Sequence, residues 1–355
     1  MQNKLLKTLF VLFSLLFAVI ASANQQYQLI FAADFIRNGD RTPASAVLND
    51  SVQWKQGLGE LTPKGMRQLY MIGKSLRKIY MQEEHLLPAQ YTTNTMYVRS
   101  SDYNRTLMSA ESLLLGLYPL GSGPKLTKQS FALPQGYQPI PIHTVNTKND
   151  DLLTPSDVDG KQFQELLTQH VYSQPFWQAK EQENQAKLAL WSKQTGYNMS
   201  QLRSVVSLGD ALYIRKLSNI NPPAGLNQKN VEEIINLTEW IMVNKFKPTP
   251  VAKFMTKQFW QKLKTDMENA AANNKEKPPL KYVLYLGHDT NILSIMSALG
   301  LPLSHEPPYG SDVRFELLKD EQERLWVKVS YNHIEQKLPG CESLCSMEQF
   351  FKLII

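Results

Sequence analysis

Two short apolar runs constrain the fold of this chain more than any other feature. Gln28 to Ile36 and the segment LKYVLYLGHD near the other end are each apolar over a strand's length, and each stops at a cluster of polar residues. Runs of this kind, bounded by turn signals, read as buried strands. After the first run, Met66, Leu69, Ile72, Gly73, Leu76 and Ile79 recur at helical spacing behind Thr62-Pro63, a pairing of N-cap and first-turn proline. TMYVRSS reads as a second strand and Arg105 to Leu117 as the helix that follows it. From about Gly121 to Gly160 the chain is rich in proline and glycine, and from about Lys161 to Ala272 it is helical in pattern. NNKEKPP is a polar linker, NILSIMSALG a helix stopped by Gly300 and Pro302, and DVRFELLKD and RLWVKVSYN look like paired strands. This order predicts an α/β fold, a Rossmann-like three-layer core with a mixed central sheet. The expected division gives the core to residues 24–120 and 275–355, and a smaller, mainly helical cap to residues 121–274.

Residues 1–23 are expected to lie outside that fold. Lys4 and Lys7 precede the apolar stretch LFVLFSLLFAVIA, and Ala21-Ser22-Ala23 fits a small-x-small cleavage site. That is the pattern of a secretory signal peptide, too short for an ordinary membrane span, so the mature chain is expected to begin near Asn24 and to be exported, periplasmic or secreted. No stable membrane insertion is expected after cleavage. The formal charge of +6 includes those two leader lysines, and no Lys/Arg-rich run or aromatic-basic repeat accompanies it, which argues against a nucleic-acid partner. Cys341 and Cys345 are the only cysteines. They lack the further ligands a zinc site needs, and beyond the cytoplasm they are expected to pair as a short disulfide that staples a local turn.

In open α/β sheets ligands bind beyond the carboxyl ends of the strands. Arg37 and Arg41 follow the first strand, Arg105 follows the second, and His288 and Asp289 follow the third. Converging guanidinium groups make an anion pocket through paired, charge-assisted hydrogen bonds. Asp289 there can serve as a general acid and His288 as a donor to an oxyanion, although an aspartate in DTNI can equally cap the next helix. Asn38-Gly39 is also a hairpin signal, but DRTP rather than a strand follows it. In the helical block, Tyr172, Phe176 and Trp177 are at near-helical spacing, where aromatic residues usually belong to a core but can stack a ligand. Glu60, Tyr103 and Asp210 carry no reading of their own in the sequence.

IRNGDRTP resembles the RHGxRxP signature of the histidine acid phosphatases, and GHDTN resembles their second catalytic motif. MYVRSSDYNRTLMSA is similar to the segment that supplies their third phosphate-binding arginine, and LTPKGMRQLYMIGKSLRKIY and LPGCESLCSMEQF resemble the prostatic and lysosomal branch and its bacterial relatives. The resemblance runs through nearly the whole mature chain in order. It implies hydrolysis of phosphate monoesters through a phosphohistidine, with no metal and no other cofactor. By position it gives Arg37, Arg41, Arg105 and His288 the phosphoryl oxygens and Asp289 the proton for the leaving group. Phosphorylated small molecules or phosphate are the implied ligands, and a homodimer is the implied assembly. The departure is at position 38, where the nucleophilic histidine of the signature is Asn38. An amide nitrogen has its lone pair delocalised into the carbonyl, so the expectation is an acid phosphatase scaffold with impaired turnover. The alternative is a non-catalytic protein that binds phosphorylated ligands.

Overall fold

The computed structural model describes residues 26–276, 278–342 and 344–355; the expected leader lies outside the described residues. Strands β1 (Gln28–Arg37), β2 (Met96–Ser100), β3 (Tyr282–Gly287), β4 (Asp312–Lys319) and β5 (Leu325–Tyr331) form the body of one sheet. Two short strands, β6 (Ile334–Glu335) and β7 (Cys345–Ser346), both pair with β5. The order along the sheet is β2-β3-β1-β4-β5-β6. β1 and β2 run parallel to β3, whereas β4 is antiparallel to both β1 and β5, so the sheet is mixed.

The α-helices among the described residues begin with α1 (Pro63–Arg77), α2 (Asn104–Leu117), α3 (Pro155–Val158), α4 (Gly160–Leu167) and α5 (Pro175–Thr195). They continue with α6 (Val206–Leu217), α7 (Gln228–Phe246), α8 (Thr249–Ala272), α9 (Asp289–Ala298) and α10 (Met347–Ile354). α1 and α2 cover one sheet face, where Leu69, Leu76, Leu113 and Leu117 meet Ile36, Leu284 and Leu286. α8, α9 and α10 cover the other, where Trp260, Ile295 and Phe350 meet Phe35, Tyr285 and Phe315. Alternate residues of β1 and β3 therefore enter opposite apolar layers, which is why both strands read as unbroken apolar runs. The three-layer α/β core expected from the sequence is present.

Helices α4 to α7 gather around a separate apolar cluster that includes Leu167, Trp191, Leu212 and Ile241. α8 joins the two regions: Val251 and Met255 belong to that cluster, whereas Phe259, Leu263 and Met267 pack on the sheet. Trp177 is a buried member of the helical cluster and Tyr172 packs against it. Among the described residues no helix is long and apolar enough to cross a membrane. Cys341 and Cys345 form the expected disulfide, with Cα atoms 5.3 Å apart.

Candidate active site

β1 ends in the middle of the sheet, between β3 and β4, and its last residues are tied to both neighbours. The Arg37 amide donates to the Ser311 carbonyl at 2.9 Å and the Asn38 amide to the Gly287 carbonyl at 3.1 Å. Neither Asn38 nor Gly39 has the positive φ that a tight two-residue hairpin would demand, so the hairpin reading falls. The loop instead passes under the start of α1. A Cβ on Gly39 would lie 2.6 Å from the Gly65 carbonyl oxygen, and one on Gly65 would lie 2.3 Å from that of Asp40. Only glycine at both positions permits this approach. Thr62 fastens the contact from both sides. Its hydroxyl oxygen accepts from the Gly65 amide at 3.1 Å, as an N-cap does, and its hydroxyl donates to the Asp40 carboxylate at 2.6 Å. The cap expected from the sequence thus also fixes the loop that carries Asn38.

The structure brings together all the residues singled out at the three strand ends. Arg37 forms an ion pair of 2.6 Å with Asp289 and donates to the Pro307 carbonyl. Arg41 makes a paired contact with Asp210 at 3.1 and 2.8 Å. Arg105 lies over the Tyr103 ring at 4.4 Å, and no carboxylate among the described residues comes within ion-pairing distance of it. His288 meets the Ser101 hydroxyl through Nε2 at 3.0 Å and the edge of Tyr103 at 5.1 Å. His288 takes the N-cap place of α9 and Asp289 its first turn, so Asp289 is not the cap that DTNI suggested. Asn38 is 2 % exposed, and its Nδ2 donates to the Gly39 carbonyl at 2.9 Å.

Two cavities meet at this cluster. The smaller, of about 210 Å³, is lined by Asn38, Arg41, Tyr103, Arg105, His288 and Asp289, with Thr154, Asp157 and others closing it. The larger, of about 680 Å³, has Arg37, Arg41 and Asp289 at one end. Tyr213, Ile235, Met242, Glu239, Glu306 and Tyr309 form part of its walls. Among the residues lining either cavity, His288 is the sole histidine.

The guanidinium groups shape the electrostatics of the cluster. Burial, then the nearby Arg105 charge, lower the His288 imidazole to about 3, which favours its neutral form in the free protein. Burial pushes the Asp289 carboxyl up, but Arg37 and then Arg41 outweigh it and leave Asp289 below the ordinary carboxylate range. Burial, then Asp289, raise Glu306 to about 8. With Arg37 and Arg41 each held by a carboxylate, Arg105 is the guanidinium left without one among the described residues. No group of three or more His, Cys, Asp or Glu among them is arranged to hold a metal ion.

Asp210, Glu306 and Tyr309 were not recoverable from sequence. Asp210 reaches Arg41 across 169 positions, from a helix whose periodicity gives no hint of that contact. The loop 305–311 meets Arg37 from 270 positions away. Tyr172, Phe176 and Trp177 line neither cavity; the aromatic rings at the site are instead Tyr103, Tyr213 and Tyr309.

Residues 17–332 match the family model of the histidine phosphatase superfamily (branch 2). The lysosomal acid phosphatase of Xenopus laevis is 31% identical over 96% of this chain and 79% of its own length. The prostatic acid phosphatase of Bos taurus is 29% identical over 92% of this chain and 84% of its own. Among solved structures, the apo form of Hafnia alvei phytase superposes with a TM-score of 0.67, covering 94% of this chain and 97% of that one, at 19% identity.

Proposed function

The chain belongs to the histidine phosphatase superfamily (branch 2), and on that footing we propose that it is an exported acid phosphatase scaffold that binds phosphate monoesters but turns them over poorly. The observation that carries the proposal is the shared cavity, in which Asn38 faces Arg41, Arg105, His288 and Asp289. Arg37, Arg41 and Arg105 would hold the phosphoryl oxygens with His288 as a further donor. Asp289 would give its proton to the departing alkoxide. Phosphoryl transfer needs mainly positioning and charge stabilisation, which these side chains supply.

The deficit lies in the attacking atom. An imidazole at position 38 would direct Nδ1–H at the Gly39 carbonyl, the acceptor that Asn38 Nδ2 now uses, and would leave Nε2 free to attack phosphorus. In that reaction the P–N bond forms as the P–O ester bond breaks, and the alkoxide takes the Asp289 proton. Water then attacks the phosphohistidine: a P–O bond forms as the P–N bond breaks, the imidazole regains its lone pair, Asp289 takes the water proton and phosphate is released. Asn38 reproduces the hydrogen bond but offers no lone pair for the P–N bond. His288, the one histidine at the cavities, has its Nε2 engaged with the Ser101 hydroxyl and would serve as a donor rather than as a replacement nucleophile. The intact set of surrounding residues equally favours a second reading, a protein that captures phosphorylated ligands without cleaving them.

Both readings require phosphate binding, and its pH dependence has a defined sign. Arg37 holds Asp289 ionised in the free protein, so an arriving anion competes with Asp289 for the same guanidinium. Protonating Asp289 relieves that competition. Inorganic phosphate should therefore bind more tightly as pH falls from 6 to 4, by up to about tenfold per pH unit for one linked proton. Asp289→Asn should bind more tightly than the parent and lose most of that slope. Titration calorimetry at several pH values checks both points. Binding that weakens in acid, or a slope unchanged by Asp289→Asn, would show that the ligand does not displace this ion pair.

A further inference from the structure

Arg37 and Arg41 share a neighbour that neither is bonded to. Tyr309 lies in the loop 305–311, between α9 and β4, with its ring 4.3 Å from the Arg37 guanidinium carbon and 6.0 Å from that of Arg41. The same loop grips the end of β1 and the residue after it at three more points. Pro307 accepts from the Arg37 side chain, Ser311 accepts from the Arg37 amide at 2.9 Å, and the Gly310 amide donates to the Asn38 carbonyl at 3.2 Å. Gly310 takes φ +74° to make that turn.

We propose that Tyr309 is a positioning residue of the phosphate site, its ring holding Arg37 and Arg41 in place for the ligand. The inference rests on the reading of the arginine cluster as a phosphate site. Two like charges in one pocket repel each other, and each now has a carboxylate beside it: Asp289 for Arg37 and Asp210 for Arg41. A carboxylate that fixes an arginine also neutralises it and competes with an incoming anion. The face of an aromatic ring attracts a guanidinium without bringing a negative charge. Arg37 can therefore surrender Asp289 to protonation and keep its place. The hydroxyl does not account for the residue: it is buried and has no hydrogen-bond partner among the described residues. Burial, foremost, raises it to about 12, so the ring stays neutral throughout the working range.

The test is inorganic phosphate titration at pH 5 of the parent, Tyr309→Phe and Tyr309→Leu, with the melting temperature of each measured without ligand. Tyr309→Phe should bind within about threefold of the parent and Tyr309→Leu about tenfold or more weaker, the range expected for partly desolvated cation–π contacts. A series of increasingly fluorinated phenylalanines at position 309 separates this from loss of shape. Fluorine drains the π face with little change in size, so affinity should fall stepwise along the series while ligand-free melting hardly moves. Equal affinity across the fluorinated series overturns the proposal, and so does a Tyr309→Phe variant as weak as Tyr309→Leu. If the parent itself binds no phosphate, the reading of the site fails instead, a result visible before any variant is compared.

Discussion

Replacing Asn38 with histidine is expected to raise hydrolysis of an aryl phosphate at pH 5 by about 10³- to 10⁶-fold, the range by which removing a covalent nucleophile commonly depresses turnover. The size of the gain follows from how little else must change. Asn38 is buried with its Nδ2 bound to the Gly39 carbonyl, and the small cavity beside it gives an imidazole room for its outer nitrogen. The backbone needs no adjustment, because Asn38 is already fixed by the Gly287 carbonyl and the Gly310 amide. Steady-state assays of purified parent and Asn38→His provide the measurement. Asn38→Gln, which lengthens the side chain without supplying a nucleophilic lone pair, should stay at the parental level. A parent that already turns over as fast as Asn38→His would show that another group attacks phosphorus.

The second large effect concerns Asp289 in the restored enzyme. In the Asn38→His background, Asp289→Asn should lower kcat on alkyl phosphates by about 10²- to 10⁴-fold, the usual contribution of a positioned general acid. On an aryl phosphate whose leaving group departs as a stable anion, the loss should be far smaller. Asparagine at 289 keeps an oxygen for the Thr290 amide, now 2.7 Å from Asp289 Oδ1, so the comparison isolates the proton. Plotting log kcat against leaving-group pKa for both enzymes is decisive: the slope should steepen when the acid is removed. Parallel lines would mean that Asp289 serves only as the partner of Arg37.

What could be read from the sequence divides along a physical line. Strands buried on both faces write themselves as continuous apolar runs, so β1 and β3 were visible at once. The residues closing those runs could be named because chain and sheet direction together decide where a strand ends. Arg37 closes the first run and His288 and Asp289 follow the second, while Arg41 lies in the loop after β1 and Arg105 in the first turn of the helix after β2. Local chemistry was also legible: the Thr62-Pro63 start of α1 and the Cys341–Cys345 pair each involve neighbours in sequence. Asn38-Gly39 was ambiguous because its hairpin signal is local, whereas the close approach of Gly39 to Gly65 that settles its conformation is tertiary. Asp210, Glu306 and Tyr309 were silent for the same reason. Each enters the site from a segment whose own periodicity is satisfied without it. The aromatic residues of the helical block showed the converse. Trp177 and Tyr172 carry no ligand signal because they fill the helical cluster.

The whole account turns on position 38 being the seat of the nucleophile within an arginine-lined phosphate site, and trapping the covalent intermediate tests that most directly. Asn38→His, mixed with an aryl phosphate at pH 5, quenched within milliseconds and digested under alkaline conditions that preserve phosphohistidine, should yield one phosphorylated peptide, modified at residue 38. The parent treated identically should yield none while still binding phosphate in titration. An active Asn38→His protein with no phosphoenzyme, or with the phosphoryl group on another residue, would contradict the account.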